Sequence, residues 1–228
     1  MLHYLKKYRY LILFFVTFTA VTLPLFYNAL KPQKQLKIYN PADVNPELVD
    51  TTVQHVAKYH KIADFKFVNQ NGDTITQKDY EGKVYVADFF FTTCPTICPS
   101  MTNNMRYLQD ATKGIPNVKF LSHSVTPDID SVAVLKAYAL KNGVDDARWN
   151  LVTGNKEDIY YIARKSYLAV KTGSPEELYD MVHTENFVLV DEKRQVRGFY
   201  DGTKQEDMER LLEDILFLCE KDNKSTSE

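Results

Sequence analysis

Apolar and polar positions follow different periods in different parts of the chain. Residues 10–30 form an uncharged and mostly apolar run of 21 residues. At about 1.5 Å of rise per helical residue the run reaches roughly 30 Å, the thickness of a hydrocarbon core, and predicts one membrane-crossing helix. It exceeds the ~7–15-residue apolar core of a secretory signal, and no small-x-small cleavage site ends it, so a retained anchor is expected rather than a cleaved leader. Tyr8, Tyr10 and Tyr27 stand near its two ends, where amphipathic rings favour the interface, and Pro24 falls where a helix end tolerates it. Lys6, Lys7 and Arg9 precede the span and Lys31, Lys34 and Lys37 follow it, which nearly balances the charge bias that orients such segments. The expectation is a tail of residues 1–9 in the cytoplasm and a single pass through a bacterial-type inner membrane. The rest of the chain then lies on the periplasmic, exported side.

Residues 31–55 have little apolar periodicity and three Xaa-Pro turns, which predicts a tether. From residue 56 the pattern becomes that of a folded domain. Residues 65–68 and 74–76 flank the turn Asn69-Gln70-Asn71-Gly72-Asp73 and predict a β-hairpin. Residues 83–91 are nearly continuously apolar, as in a strand buried on both faces, with Asp88 as the lone acid in need of a partner or a function. A helix over 99–113, a strand over 117–125, a helix over 131–142, a strand over 149–152 and a helix over 156–167 follow. Residues 185–190 and 195–200 predict a second hairpin, and 205–219 an amphipathic helix. This alternation predicts an α/β, thioredoxin-like domain over 56–221, a mixed central sheet with helices on both faces, followed by a polar tail over 222–228.

Composition narrows the class without changing this picture. With 44% apolar residues the 228-residue chain can fill a core, and 28 basic against 30 acidic side chains leave a net charge of −2. Beyond residue 30 the balance is 25 basic to 30 acidic groups, so nucleic acid is not an expected partner.

Three cysteines leave one unpaired in any disulfide scheme. Cys94 and Cys98 lie four apart across a strand-to-helix junction, each followed by a proline. With Pro99 starting the helix and Cys98 at its cap, the orphan amides and the helix dipole would favour thiolate. Such a pair can bind a soft metal, cycle through a disulfide, or close a structural bridge that clips only a short loop. A metal needs further donors. His3 lies on the wrong side of the membrane, and His55 and His60 lie in polar, exposed sequence. His123 reads more readily as a packed imidazole near a strand end. His183, in Met181-Val182-His183-Thr184, falls in the loop that faces the cysteine junction in this architecture and completes a soft three-donor set. Cys219, Met101 and Met105 read as core residues on helical stripes.

The residues resemble the SCO/SenC family of membrane-anchored copper proteins. The likeness is carried by Asp88-Phe-Phe-Phe-Thr-Thr-Cys94-Pro-Thr-Ile-Cys98-Pro99, Ser124-Val-Thr-Pro-Asp-Ile-Asp130, Trp149-Asn-Leu-Val-Thr-Gly154, Val182-His183-Thr184 and Gly198-Phe-Tyr-Asp-Gly202, in order across residues 65–202. It implies one copper ion, copper(I) or copper(II), held by Cys94, Cys98 and His183. It also implies a role in assembling the binuclear copper site of cytochrome c oxidase, as a metallochaperone without turnover. The implied recipient is the copper-receiving subunit of that oxidase or another exported cuproprotein. The family commonly has aspartate where this chain has Thr126, with Asp128 and Asp130 as nearby substitutes. A thiol-disulfide reductase acting through Cys94 and Cys98 stays as the alternative. It is weakened because the loop at 182–184 carries no proline of the kind thioredoxin-type enzymes place opposite their cysteines.

Overall fold

The computed structural model describes residues 8–30, 34–46, 49–169 and 184–225. The chain divides near residue 35 into two compact units. The first contains helix α1 (Arg9–Leu30). Its window Arg9–Tyr27 has a mean hydropathy of 1.9 and no part buried in the protein, so by length and composition it can cross a bilayer. The Thr17 and Thr22 hydroxyls donate back to the carbonyls of Leu13 and Phe18 at 2.9 and 2.8 Å, which leaves neither hydroxyl unpaired on an apolar surface.

The second unit is built on a seven-stranded sheet. Its strands are β1 (Lys66–Asn69), β2 (Thr74–Thr76), β3 (Val84–Phe90), β4 (Val118–Ser124), β5 (Trp149–Thr153), β6 (Asn186–Val190) and β7 (Val196–Asp201). The spatial order is β2-β1-β5-β4-β3-β6-β7. The central pairs β3–β4 and β4–β5 are parallel and the remaining pairs antiparallel. All seven residues of β3 are buried, which is why its sequence lacks the alternation of a half-exposed strand.

Helices α2 (Ile97–Ala111), α3 (Val132–Asn142), α4 (Lys156–Tyr161) and α5 (Gln205–Ser225) complete the unit. On one face of β3, Phe90 meets Tyr138 of α3 at a ring separation of 5.5 Å. On the other, Phe89 meets Tyr167, just beyond α4, at 5.7 Å. The sheet is therefore covered on both sides, as the alternation of elements predicts.

Local chemistry explains most boundaries. Asn69 Oδ1 accepts the amides of Asn71 and Asp73 at 2.9 Å, and Gly72 takes φ +85°, a conformation that favours glycine, so the turn pins the β1–β2 register. Ser131 caps α3, and Gly143 ends it in the left-handed region.

Several boundaries differ from the sequence reading, among them the end of α5, which runs to Ser225 rather than 219. The helix expected over 156–167 is α-helical only through Tyr161 and then widens into a π-helical turn, Ile162–Ser166. That turn presents Ser166 to the chain at residues 60–63, where Ser166 Oγ accepts from Ala63 N at 2.8 Å and Ser166 O from His60 Nε2 at 2.7 Å. His60 is thus half-buried and engaged rather than exposed. Much of the stretch read as tether is also packed on the domain. Tyr39 N donates to Val196 O at 2.8 Å, Val49 is buried, and Arg197 donates to the carbonyls of Leu36 and Lys37 while pairing with Asp191 at 2.8 Å.

Candidate functional site

Strand β3 ends at Phe90 and a loop carries the chain over to α2. The loop places Cys94 and Cys98 at the helix start, both free and both buried. The helix begins two residues earlier than Pro99 suggests: Thr96 is the N-cap, Cys98 the second helical residue and Pro99 the third. A proline is tolerated anywhere in a first turn, whose amides have no intrahelical partner, so Pro99 alone does not locate the cap.

The Thr96 side chain makes no capping bond to the helix. Its hydroxyl lies 3.7 Å from Cys94 Sγ instead. Burial pushes the Cys94 thiol up, but the N–H groups of Cys98 and Thr96 and the side chains of Cys98 and Thr96 outweigh it and bring the group down to about 7. Cys98 is the opposite case. Burial pushes it up to about 12, with the neighbouring Cys94 sulfur and the Asp88 carboxyl adding to the effect and the Phe91 amide only partly offsetting it. The result is one thiolate-prone sulfur and one that holds its proton, a soft two-donor set with a single readily lost proton.

Asp88 stands in β3 on the face toward α2. Burial raises its carboxyl to about 7, and the Ser122 side chain lowers it only in part. Its Oδ1 has no hydrogen-bond partner among the described residues. His123 pairs with Phe89 across the β3–β4 ladder and so lies on the opposite face of the sheet from Asp88. Its ring stacks on Phe89 at 4.9 Å and meets Phe67 and Tyr167 at 5.5 and 5.3 Å. Burial lowers its pKa to about 3. It is a packed imidazole, neutral and separated from the cysteines by the sheet. Met101 and Met105 are fully buried core residues, and Cys219 is buried on α5.

His183 and His3 lie outside the described residues. Among the described residues, no three His, Cys, Asp or Glu side chains gather as a metal cluster. The chain is described again from Thr184, a buried residue whose hydroxyl accepts the amide of Asn186 at 3.1 Å at the entry to β6. Strand β6 runs antiparallel to β3 with Ala87 opposite Val188. Continuing that register brings residues 184–186 alongside 89–91, the end of β3 from which the cysteine loop leaves.

The SCO1/SenC family model matches residues 53–219. The chain belongs to the SCO1/SenC family. A SCO1/SenC family lipoprotein from Bacillus anthracis is 37% identical with a TM-score of 0.63, the match covering 70% of this chain and 95% of that one. BsSco, described as a member of the Sco family of cytochrome c oxidase assembly proteins with a disulfide switch, is 31% identical with a TM-score of 0.61 over 70% of this chain and 94% of its own. ScoI of Bradyrhizobium japonicum, solved with copper bound, shares the fold at 22% identity and a TM-score of 0.56, over 70% of this chain and 99% of its own. The thioredoxin-like sheet flanked by helices is the fold of these SCO proteins.

Thr126 directs its hydroxyl at Asp130, 3.1 Å away. Asp128 is exposed, whereas Asp130 is fully buried. The Asp130 carboxylate accepts Ser124 Oγ at 2.6 Å and Thr92 N at 3.2 Å on the same oxygen as Thr126, and the Thr92 hydroxyl on the other. Sequence reasoning names Asp130 only as a substitute for the family aspartate and misses Thr92 and Thr96 altogether. Their signal is the cluster of short hydroxyls at two strand ends, which reads as turn chemistry until the strands are set side by side.

Proposed function

We propose that this protein is a membrane-anchored copper carrier that binds one copper ion through Cys94, Cys98 and His183 and passes it to an exported recipient during assembly of cytochrome c oxidase. The observation that carries the reading is the unequal pair of sulfurs at the start of α2. Cys94 is poised as thiolate near neutral pH, and Cys98 gives up its proton only to a strong competitor such as a soft metal ion. Two thiolates and an imidazole suit copper(I), while copper(II) recruits a further oxygen. His183 stands one residue before Thr184, at the entry to β6, the strand that pairs with β3, which supports its delivery to the sulfurs. The α1 helix is the membrane anchor, with residues 1–9 on the cytoplasmic side. The recipient is the copper-receiving subunit of the oxidase or another exported cuproprotein. Because binding displaces the Cys98 proton, affinity falls as pH falls.

A second reading is favoured by the same asymmetry. A sulfur at about 7 beside one at about 12 is also a nucleophile with a resolving partner. In that chemistry the Cys94 thiolate attacks a client disulfide and releases one client thiolate. Cys98 then loses its proton and displaces the second, leaving a Cys94–Cys98 disulfide and a reduced client. Copper titration of the reduced protein, set beside reduction of a model disulfide without metal, separates the two. One tightly bound copper per chain with slow disulfide reduction supports the carrier, and rapid metal-free turnover with weak copper binding supports the reductase.

A further inference from the structure

We infer that the surface formed by residues 34–40, 58–62 and 192–197 docks on the anionic headgroups of a bilayer, with the Tyr59 ring seated at the lipid interface. The inference rests on the reading of α1 as the membrane anchor and asks nothing of the copper site.

Tyr59 supplies the first observation. It takes φ +64°, a left-handed conformation that a tyrosine adopts only at a cost, and it is 89% exposed. No packing inside the protein offsets that cost. The residue after it explains how the backbone is held there: His60 N donates to Asn40 Oδ1 at 3.2 Å, and His60 Nε2 to Ser166 O at 2.7 Å. His60 is drawn inward and Tyr59 is left in solvent. A ring with an apolar body and a polar tip, presented in this way, suits a surface that is polar outside and apolar just beneath, the profile of a lipid interface.

Charge supplies the second. Tyr39 N donates to Val196 O at 2.8 Å and Ile62 N to Arg194 O at 2.9 Å, and with the Asn40–His60 bond these contacts join the three segments into one surface. The segments carry Lys34, Lys37, Lys58, Lys61, Lys193, Arg194 and Arg197 against a single acid, Glu192. From beside them Asp43 pairs with Lys37, Asp64 with Arg194 and Asp191 with Arg197. Lys58, Lys61 and Lys193 are exposed and pair with no acid among the described residues. The chain beyond residue 30 has 30 acidic groups to 25 basic ones, so its acidic excess lies elsewhere on the domain. Ile38, 39% exposed, stands next to Lys37 and adds a second apolar side chain. Lysines around a few exposed apolar groups fit anionic lipid, which takes the charged heads at the phosphates and the apolar groups just below them.

Chain length supplies the third. Leu36 and Lys37 are already held by Arg197, so only residues 31–35 lie between this surface and the end of α1 at Leu30. Six peptide steps extend to at most about 20 Å. Where α1 spans a bilayer, the start of this surface cannot leave its neighbourhood.

The test uses full-length Tyr59→Trp protein reconstituted in vesicles, with the emission of the parent protein, whose Trp149 is 1% exposed, subtracted. Quenching of the introduced indole by acyl-chain-brominated lipid is read in phosphatidylcholine alone and in equimolar phosphatidylcholine and phosphatidylglycerol. It is expected to be about twofold or more greater in the anionic vesicles. In about 1 M salt, where the Debye length is about 3 Å, the difference is expected to vanish. Adding Lys58→Glu with Lys61→Glu is expected to abolish it as well. Lys113→Glu with Lys141→Glu, the same change of charge at exposed lysines outside the surface, is expected to leave it in place. Equal quenching in the two kinds of vesicle would overturn the inference and leave the basic surface to an acidic protein partner. So would a difference that survives Lys58→Glu with Lys61→Glu, or one lost equally with the control pair. Flotation with phosphatidylcholine vesicles in alkaline carbonate reads the anchor separately. Protein released there would strike the anchor reading alone, because quenching in the anionic vesicles still tests the surface.

Discussion

The Thr96 hydroxyl lies 3.7 Å from Cys94 Sγ at the start of α2, where the two cysteines of one junction hold opposite protonation tendencies, about 7 at Cys94 and about 12 at Cys98. Amide and hydroxyl donors outweigh burial at Cys94, whereas burial dominates at Cys98. Alkylation of the reduced protein is therefore expected to modify Cys94 with a midpoint near pH 7 while Cys98 stays protected. Thr96→Val should raise the Cys94 midpoint by removing the hydroxyl 3.7 Å away. Equal alkylation of both cysteines at pH 7 would contradict the asymmetry.

Asp88 gives a pH dependence of definite sign. Its carboxyl is raised to about 7 in the folded protein against 3.8 for the free group, so folding is unpenalised below about pH 4. As pH rises toward 7 the unfolded chain loses this proton while the folded chain keeps it, and stability falls by a limit on the order of 4 kcal/mol. Asp88→Asn is expected to flatten that loss between pH 4 and 8 in urea denaturation. A variant with the same slope as the parent protein would show that the buried carboxyl is already compensated.

His123 acts in the opposite direction. Its pKa is lowered to about 3 from 6.5, so above pH 6.5 both folded and unfolded chains carry it neutral and nothing is lost. Below that, the unfolded chain takes up a proton that the folded chain refuses, and stability declines until about pH 3. His123→Phe, which keeps an aromatic ring among Phe65, Phe67, Phe89 and Tyr167, is expected to move the acid-unfolding midpoint to lower pH. Circular dichroism across pH 3–7 reads the shift.

Arg197 ties the segment after α1 to the domain through the carbonyls of Leu36 and Lys37 and through Asp191. Both partners of the ion pair are largely buried, 12% and 6% exposed at the side chain. Arg197→Ala leaves the Asp191 charge without its cation and is expected to cost about 3 kcal/mol in denaturant unfolding and to open residues 36–40 to proteolysis. An unchanged cleavage pattern would mean that Tyr39 alone holds the segment on β7.

The parts of this fold that were legible in the sequence are those whose signals are local. The run at 83–91 declares a strand buried on both faces, and Asn69 to Asp73 declares a turn, because each carries its own chemistry. The alternation of strands and helices was enough for the thioredoxin-like plan. What lay hidden depends on contacts distant in sequence. The π-helical turn at Ile162–Ser166 answers to residues 60–63, a hundred positions away, and no periodicity in its own segment marks it. The packing of Leu36, Lys37 and Tyr39 depends on Arg197 and Val196, which polar, proline-punctuated sequence cannot reveal. At the site, Cys94 and Cys98 were evident from spacing and flanking prolines. Their inequality was not, because it arises from burial at Cys98 and from the amides of Cys98 and Thr96 around Cys94. Asp130 could be named but not given a role until β3 and β4 set Thr92 beside Ser124.

The central claim is that three side chains from distant stretches of the chain hold one copper ion, and stoichiometric copper titration of the reduced full-length protein tests it most directly. The account predicts one copper(I) per chain in the parent protein, loss of that stoichiometry in Cys94→Ser and in Cys98→Ser, and a weakening in His183→Ala greater for copper(II) than for copper(I). Unchanged stoichiometry in either serine variant, or copper(II) binding indifferent to His183→Ala, would contradict it.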